Sequence, residues 1–131
     1  MRRVSAVRRR ENDAMREDRS DFVASFACCI PWCRNPADDC HEIARGAHRR
    51  KAFQERCAWL APCRKHHDEL QNAVVWPLVM QYALKILQDP EFYDRVQLNA
   101  LRGRAPDAFS ELDLALAVRE VVGRIFCEWM Q

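Results

Sequence analysis

No stretch of this 131-residue chain approaches the roughly 18–20 consecutive apolar residues that a membrane-spanning helix needs. The opening, MRRVSAVRRRENDAMRED, has arginines but no apolar core behind them. A secretory signal is therefore not expected, and a cytoplasmic location is the default. There is no internal repeat and no low-complexity tract, which argues against solenoids and arrays. Net charge is small, at +2. The cysteines number seven, and an odd count without a signal argues against a disulfide framework. Metal binding by some cysteines and burial of the rest is the simpler expectation. What the chain does have is apolar content, at 49% of residues, which suits a globular domain rather than a disordered one. A chain of this length buries roughly two-thirds of its unfolded surface.

Charge is unevenly placed. Residues 43–67 hold seven basic side chains against Glu55 alone, whereas residues 68–131 hold six basic and ten acidic ones. The positive stretch contains Arg45, Arg49, Arg50, Lys51 and Lys65, and it surrounds the densest Cys/His region. A polyanion lying there would release counterions and bind in a salt-dependent way.

Residues 1–20 read as a loose or helical basic arm, weakly anchored. Phe22, Val23 and Phe26 mark a short apolar helix or strand leading into the cysteines. Residues 39–44 could be extended, and Trp59, Leu60 and Ala61 could form a second short strand. From Pro62 the pattern turns helical, with Cys63, His66, His67 and Leu70 at spacings of three and four. Pro62 suits the first turn of that helix. Pro77 permits another helix start, carried on by Leu78, Val79, Tyr82, Ile86 and Leu87. Asp89 and Pro90 read as a cap and first turn for a helix through Phe92, Tyr93, Val96 and Leu101, ending near Gly103. A linker over 102–106 follows. Ser110 with Asp113 is a capping-box start for a last helix through Leu114, Val118, Val121, Ile125 and Trp129.

Four residues have zinc-ligand spacing: Cys29 and Cys33, then Cys63 and His66. Thiolate and imidazole suit Zn²⁺, and four such ligands close a tetrahedral site. The first arm is irregular. Cys29 to Cys33 leaves three intervening residues where two are usual, and Cys28, with four, competes. Cys29 is preferred over Cys28, with the choice left open. Cys40, Cys57 and Cys127 read as buried thiols. Adjacent residues on a helix point about 100° apart, so His66 can face the zinc while His67 faces elsewhere. His41 and His67 could then hold a second, open metal site.

The run CCIPWCRNPADDCHEIARGAHRRKAFQERCAWLAPCRKHHDEL, residues 28–70, resembles the HNH or His-Me finger nucleases. It is most similar to phage and prophage variants with a D-x-H-x-I element, an Arg-Gly turn and a closing C-x-x-[CH]-H-D-E helix. Residues 76–106 also resemble the tail of some of those phage proteins. The resemblance implies an α+β, mostly helical fold. It would have a basic N-terminal arm (1–27), a zinc-stabilised ββα-metal module (28–75) and a helical C-terminal region (76–131) packed on or beside it.

The resemblance also implies chemistry. His67 aligns with the metal-binding histidine of the closing helix and His41 with a first-strand metal ligand. Glu42 stands where the family has its water-activating histidine, and Ala58 where it has the asparagine that orients that histidine. A carboxylate base has no tautomer to fix, so Glu42 could act without the asparagine. Otherwise His41 is the base and Asp39 the ligand, or catalysis has been lost. The implied reaction is hydrolysis of DNA phosphodiesters with one divalent ion, Mg²⁺ or Mn²⁺ or similar, between His41 and His67. Arg45, Arg49, Arg50, Lys51 and Lys65 would hold backbone phosphates, which read charge and not bases. The rival expectations are a zinc-dependent DNA-binding module that does not cleave, and a helical interaction protein. The C-terminal helices could serve a homodimer or a phage-protein partner, in a host cytoplasm if the gene is phage-borne.

Overall fold

The computed structural model describes residues 6–44, 49–102 and 108–130. They form helix α1 (Ala6–Ala24), strand β1 (His41–Glu42), a short helix α2 (Arg49–Phe53), strand β2 (Trp59–Leu60), α3 (Arg64–Leu70), α4 (Leu78–Gln88), α5 (Arg95–Arg102) and α6 (Glu111–Trp129). A 3-10 turn at Arg56–Ala58 leads into β2, and another at Pro90–Phe92 follows α4. The architecture is mostly helical around one two-stranded antiparallel sheet, with His41 opposite Leu60 and Glu42 opposite Trp59. No described helix is long and apolar enough to cross a membrane.

The N-terminal arm is more firmly held than its polarity suggests. Phe22 is buried, with its ring edge-on to Trp59 at 5.6 Å. Arg19 lies over the Phe53 ring at 4.1 Å and donates to the Phe53 and Cys40 carbonyl oxygens. One apolar cluster then runs from Cys28 through Ile43, Leu60, Leu70 and Tyr82 to Val121. The helical C-terminal region thus shares its core with the Cys/His segment.

Helix α4 lies at the centre and is buried on nearly every side from Met80 to Lys85. A two-residue sheet leaves most of its neighbouring backbone groups without ladder partners, and buried groups of that kind need a partner. Three polar side chains of α4, at spacings of four and three, supply them. Lys85 Nζ donates to the Arg56 and Trp59 carbonyls at 2.8 Å each and to Asp89 Oδ2 at 2.7 Å. Gln88 Oε1 accepts from Ala61 N, while its Nε2 donates to the Ala61 and Ala27 carbonyls. Gln81 completes the row and is described with the site.

Several expected elements differ in detail. Pro62 precedes α3 rather than entering its first turn. Cys63 takes the cap position, and the Pro62 carbonyl accepts from Asp38 N and Asp39 N. The helix expected from Pro90 through Leu101 is broken at Tyr93 and Asp94, and Asp94 Oδ1 restarts it by accepting from Gln97 N. Asp89 does not cap, because its carboxylate is committed to Lys85 and Arg56. The Ser110–Asp113 capping box is formed. Residues 103–107, with Gly103 and most of the linker, lie outside the described residues.

Candidate metal centre and adjoining cleft

The knuckle between α1 and β1 and the start of α3 bring four ligand groups together. Cys28, Cys33, Cys63 and His66 have ligand atoms all within 4.8 Å of one another, and this group could hold a metal such as zinc. Cys63 Sγ lies 3.2 Å from His66 Nδ1 and 4.0 Å from Cys33 Sγ, and Cys28 Sγ lies 3.5 Å from His66 Nδ1. The pairing of Cys63 with His66 follows from one turn of α3, which places residues three apart on one face. Among the described residues this is the one set of three or more such groups that converges so closely.

The preference for Cys29 is thereby corrected to Cys28. Both neighbours are buried, but only Cys28 belongs to the converging group, and the Cys29 thiol hydrogen-bonds to it from outside that group. Cys29 N donates to the Ala61 carbonyl at 2.8 Å, and its side chain is buried in the core beside Ile30. The chemistry of the two thiols follows the geometry. Cys28 is pulled down to about 4, chiefly by a hydrogen bond from Cys29 and by the Cys63 and Ile30 backbone, against the effect of burial. Burial pushes Cys29 well above the usual thiol range. Burial and the neighbouring Cys28 charge push Cys33 up to about 11. One thiolate therefore penalises the next in this cluster, which is the condition a bound divalent cation relieves. The other ring nitrogen of His66, Nε2, faces Glu69 Oε2 at 3.5 Å, the carboxylate–histidine arrangement that leaves Nδ1 for a metal.

All seven cysteines carry free thiols. Cys57 is buried and Cys40 half-buried, but Cys127 is exposed on α6, contrary to its reading as a core thiol.

His67 turns away from this cluster, as its position one residue along the helix requires. Its Nδ1 lies 3.1 Å from Asp39 Oδ2, and its ring meets that of His41 edge-on at 5.3 Å. The structure therefore brings Asp39, His41 and His67 together. At 3.1 Å the His67–Asp39 contact is a hydrogen bond or ion pair between two partly buried side chains.

His41 is 8% exposed, and its Nε2 lies 2.7 Å from Gln81 Oε1. The amide of Gln81 is oriented by its own bonds, because Nε2 donates to the Leu70 and Trp76 carbonyls at 2.9 Å each. Its oxygen must then face His41, which makes His41 Nε2 the donor. Gln81 was not picked out from the sequence. It is 40 positions from His41, and the 81/85/88 spacing on α4 resembles an ordinary polar face.

Glu42 points the other way, as alternation along a strand dictates. Its Oε1 pairs with Arg19 at 3.0 Å, with both side chains largely covered. Ala58 is fully buried.

Beside His67 opens a cleft of about 630 Å³ lined by Asp39, His67, Arg16, Arg19, Arg64 and others. Arg64 pairs with Asp39 at 3.2 Å, and its backbone N–H donates to Asp38 Oδ2. Of the expected phosphate contacts, Arg50 and Lys51 on α2 and Lys65 on α3 are exposed and do not line this cleft. Arg45 and the side chain of Arg49 lie outside the described residues. The cleft arginines come instead from the N-terminal arm and the start of α3. Arg16 and Arg19, three apart on α1, were the available signal.

The chain matches no protein-family model, and no curated protein or solved structure is significantly similar to it.

Proposed function

We propose that this protein is a zinc-stapled, divalent-metal-dependent endonuclease of the HNH, ββα-metal type that hydrolyses DNA phosphodiesters with little sequence preference. The observation that carries the reading is the meeting of Asp39, His41 and His67 beside an arginine-lined cleft, next to a separate Cys₃His cluster. Zinc in the Cys28, Cys33, Cys63 and His66 set is structural, because four protein ligands leave no open position.

Asp39 and His67 would hold the catalytic ion, Mg²⁺ or Mn²⁺. Its remaining positions would go to water and the substrate phosphate, as is usual for these hard cations. When bound, such an ion supplies positive charge at the phosphoryl oxygens and the leaving oxygen. His41 would take the water's proton. An imidazole base needs its tautomer fixed, and Gln81 does here what the family's asparagine does elsewhere, so Ala58 need not mean loss of activity. Glu42, expected as the base, is held by Arg19 and belongs to the scaffold in this reading. Arg16 and Arg64 on the cleft receive backbone phosphates.

The non-cleaving binding module is the second reading, and the limited exposure of His41 favours it. Plasmid nicking with added Mg²⁺ or Mn²⁺ separates the two. The wild type and Glu42→Gln should nick. His67→Ala and His41→Ala should lose at least roughly a hundredfold in rate, the usual scale for one acid–base group. Gln81→Leu should fall between. A wild type that shifts DNA in a gel but never nicks it selects the binding module.

A further inference from the structure

The geometry points to a second copy of this chain docking antiparallel on the outer face of α6, with the two-fold axis beside Val121.

The face opposite the buried residues Leu114, Ala117 and Val121 carries Leu112, Leu116, Arg119, Gly123, Phe126 and Met130. Leu112, Leu116, Phe126 and Met130 are 68, 55, 59 and 86% exposed, and Arg119 and Gly123 are exposed as well. Spacings of four and three along this row are those of a two-helix seam. An apolar row of this length is more than the scattered surface residues that need no explanation.

The occupant follows from the symmetry of the row. A two-fold interface needs a patch complementary to itself. Turned end for end about Val121, the row sets Leu112 against Met130, Leu116 against Phe126, and Arg119 against Gly123. The one long charged side chain meets the one residue without a side chain. The Arg119 stem can then lie across the second copy's helix with its charged end at the edge of the seam. On one flank, Trp129, 68% exposed, comes within two residues' rise, about 3 Å along the axis, of the exposed Ala115 of the second copy. Glu120 and Arg124, paired at 3.0 Å within one chain, can also pair across the axis.

Gly123 is the independent observation. A Cβ there would meet nothing within 4 Å, so no packing inside the chain calls for a glycine. Mid-helix glycine nevertheless costs roughly 1 kcal/mol relative to alanine. Close approach of a second helix supplies the reason for it. This inference does not depend on the nuclease reading.

Sedimentation of the full zinc-loaded chain over a concentration series tests it. The wild type should be a dimer in the micromolar range. Gly123→Arg has room in the single chain, so circular dichroism and melting should show an intact fold. In the dimer it sets arginine against arginine twice, and the dissociation constant should rise roughly a hundredfold or more. The double variant Arg119→Gly/Gly123→Arg restores one arginine against one glycine and should restore the dimer. A monomeric wild type overturns the proposal. So does a dimer indifferent to Gly123→Arg, which would lie on another surface, or a double variant that stays monomeric, which would exclude the antiparallel register.

Discussion

Exchanging Cys28 and Cys29 for alanine, one at a time, should produce opposite results from adjacent and chemically identical side chains. Cys28 Sγ stands 3.5 Å from His66 Nδ1 in the four-ligand cluster, whereas the Cys29 thiol is not one of its converging groups. A structural zinc contributes roughly 10–16 kcal/mol of apparent binding energy. Net stability for a domain is only about 5–15 kcal/mol, so loss of one ligand is comparable with the whole margin. Cys28→Ala should lose its metal and unfold at or near room temperature. Cys29 stands outside the group whose ligand atoms converge, and its backbone N–H is tied to Ala61. Cys29→Ala leaves a small void and removes a donor to Cys28, at a cost of about 1–2 kcal/mol. That is roughly 3–10 °C in Tm for a chain of this size, with the metal retained. The measurements are metal content by mass spectrometry after dialysis and thermal melts with and without chelator. Metal retained in Cys28→Ala but lost in Cys29→Ala would refute the ligand assignment, and a wild-type melt indifferent to chelator would refute the metal staple itself.

Three further outcomes are expected. Lys85→Met leaves the Arg56 and Trp59 carbonyls without their donor and Asp89 without one of its two cations. Breaking a buried pair from one side costs about 3–5 kcal/mol, and urea unfolding at neutral pH measures it. Asp89 is pushed up by burial but brought down further by hydrogen bonds from Arg56 and Lys85, so its carboxyl sits below the ordinary 3.8. Its stabilising contribution is therefore complete above that value and is lost as pH falls through the folded-state one. Wild-type stability should drop more steeply than that of Asp89→Asn below pH 3.8, and parallel acid limbs would contradict this. Arg19→Ala releases Glu42 and the cation–ring contact with Phe53. Hydrogen exchange in α1 should accelerate while exchange in α4 stays slow.

The elements with strong local causes were legible in the sequence. The Ser110–Asp113 capping box and the Cys63–His66 spacing each depend on residues three positions apart, and the two short strands fall inside the segments read as extended, although their pairing joins His41 to Leu60 and Glu42 to Trp59. The separation of His66 from His67 followed from helical geometry alone. The choice between Cys28 and Cys29 did not, because it turns on which thiol meets Cys63 and His66, more than thirty positions away. The pairing of Glu42 escapes the sequence for a similar reason. Its partner, Arg19, sits in an arm whose polarity suggested weak attachment. Helix α4 was the hardest to read. Its apolar stripe is real, but Leu87 is 39% exposed while Gln81 and Lys85 are fully covered. Hydrophobic periodicity registers which residues avoid water. It does not register unpaired carbonyls on a neighbouring segment, and those are what draw polar side chains inward here.

The polar row of α4 bears on how the molecule can be cut and varied. Gln81 holds His41, Lys85 holds β2 and the turn before it, and Gln88 holds Ala61 and Ala27. All three hang from one helix that lies beyond residue 75 in the chain. A fragment cut at 75 would keep every proposed metal ligand yet lose the rail to which both strands are fastened. The segment is therefore not a cassette that can be moved to another scaffold. Variants in α4 that touch neither metal nor DNA should surface in a genetic screen as loss of function, scattered at intervals of three and four along one helix.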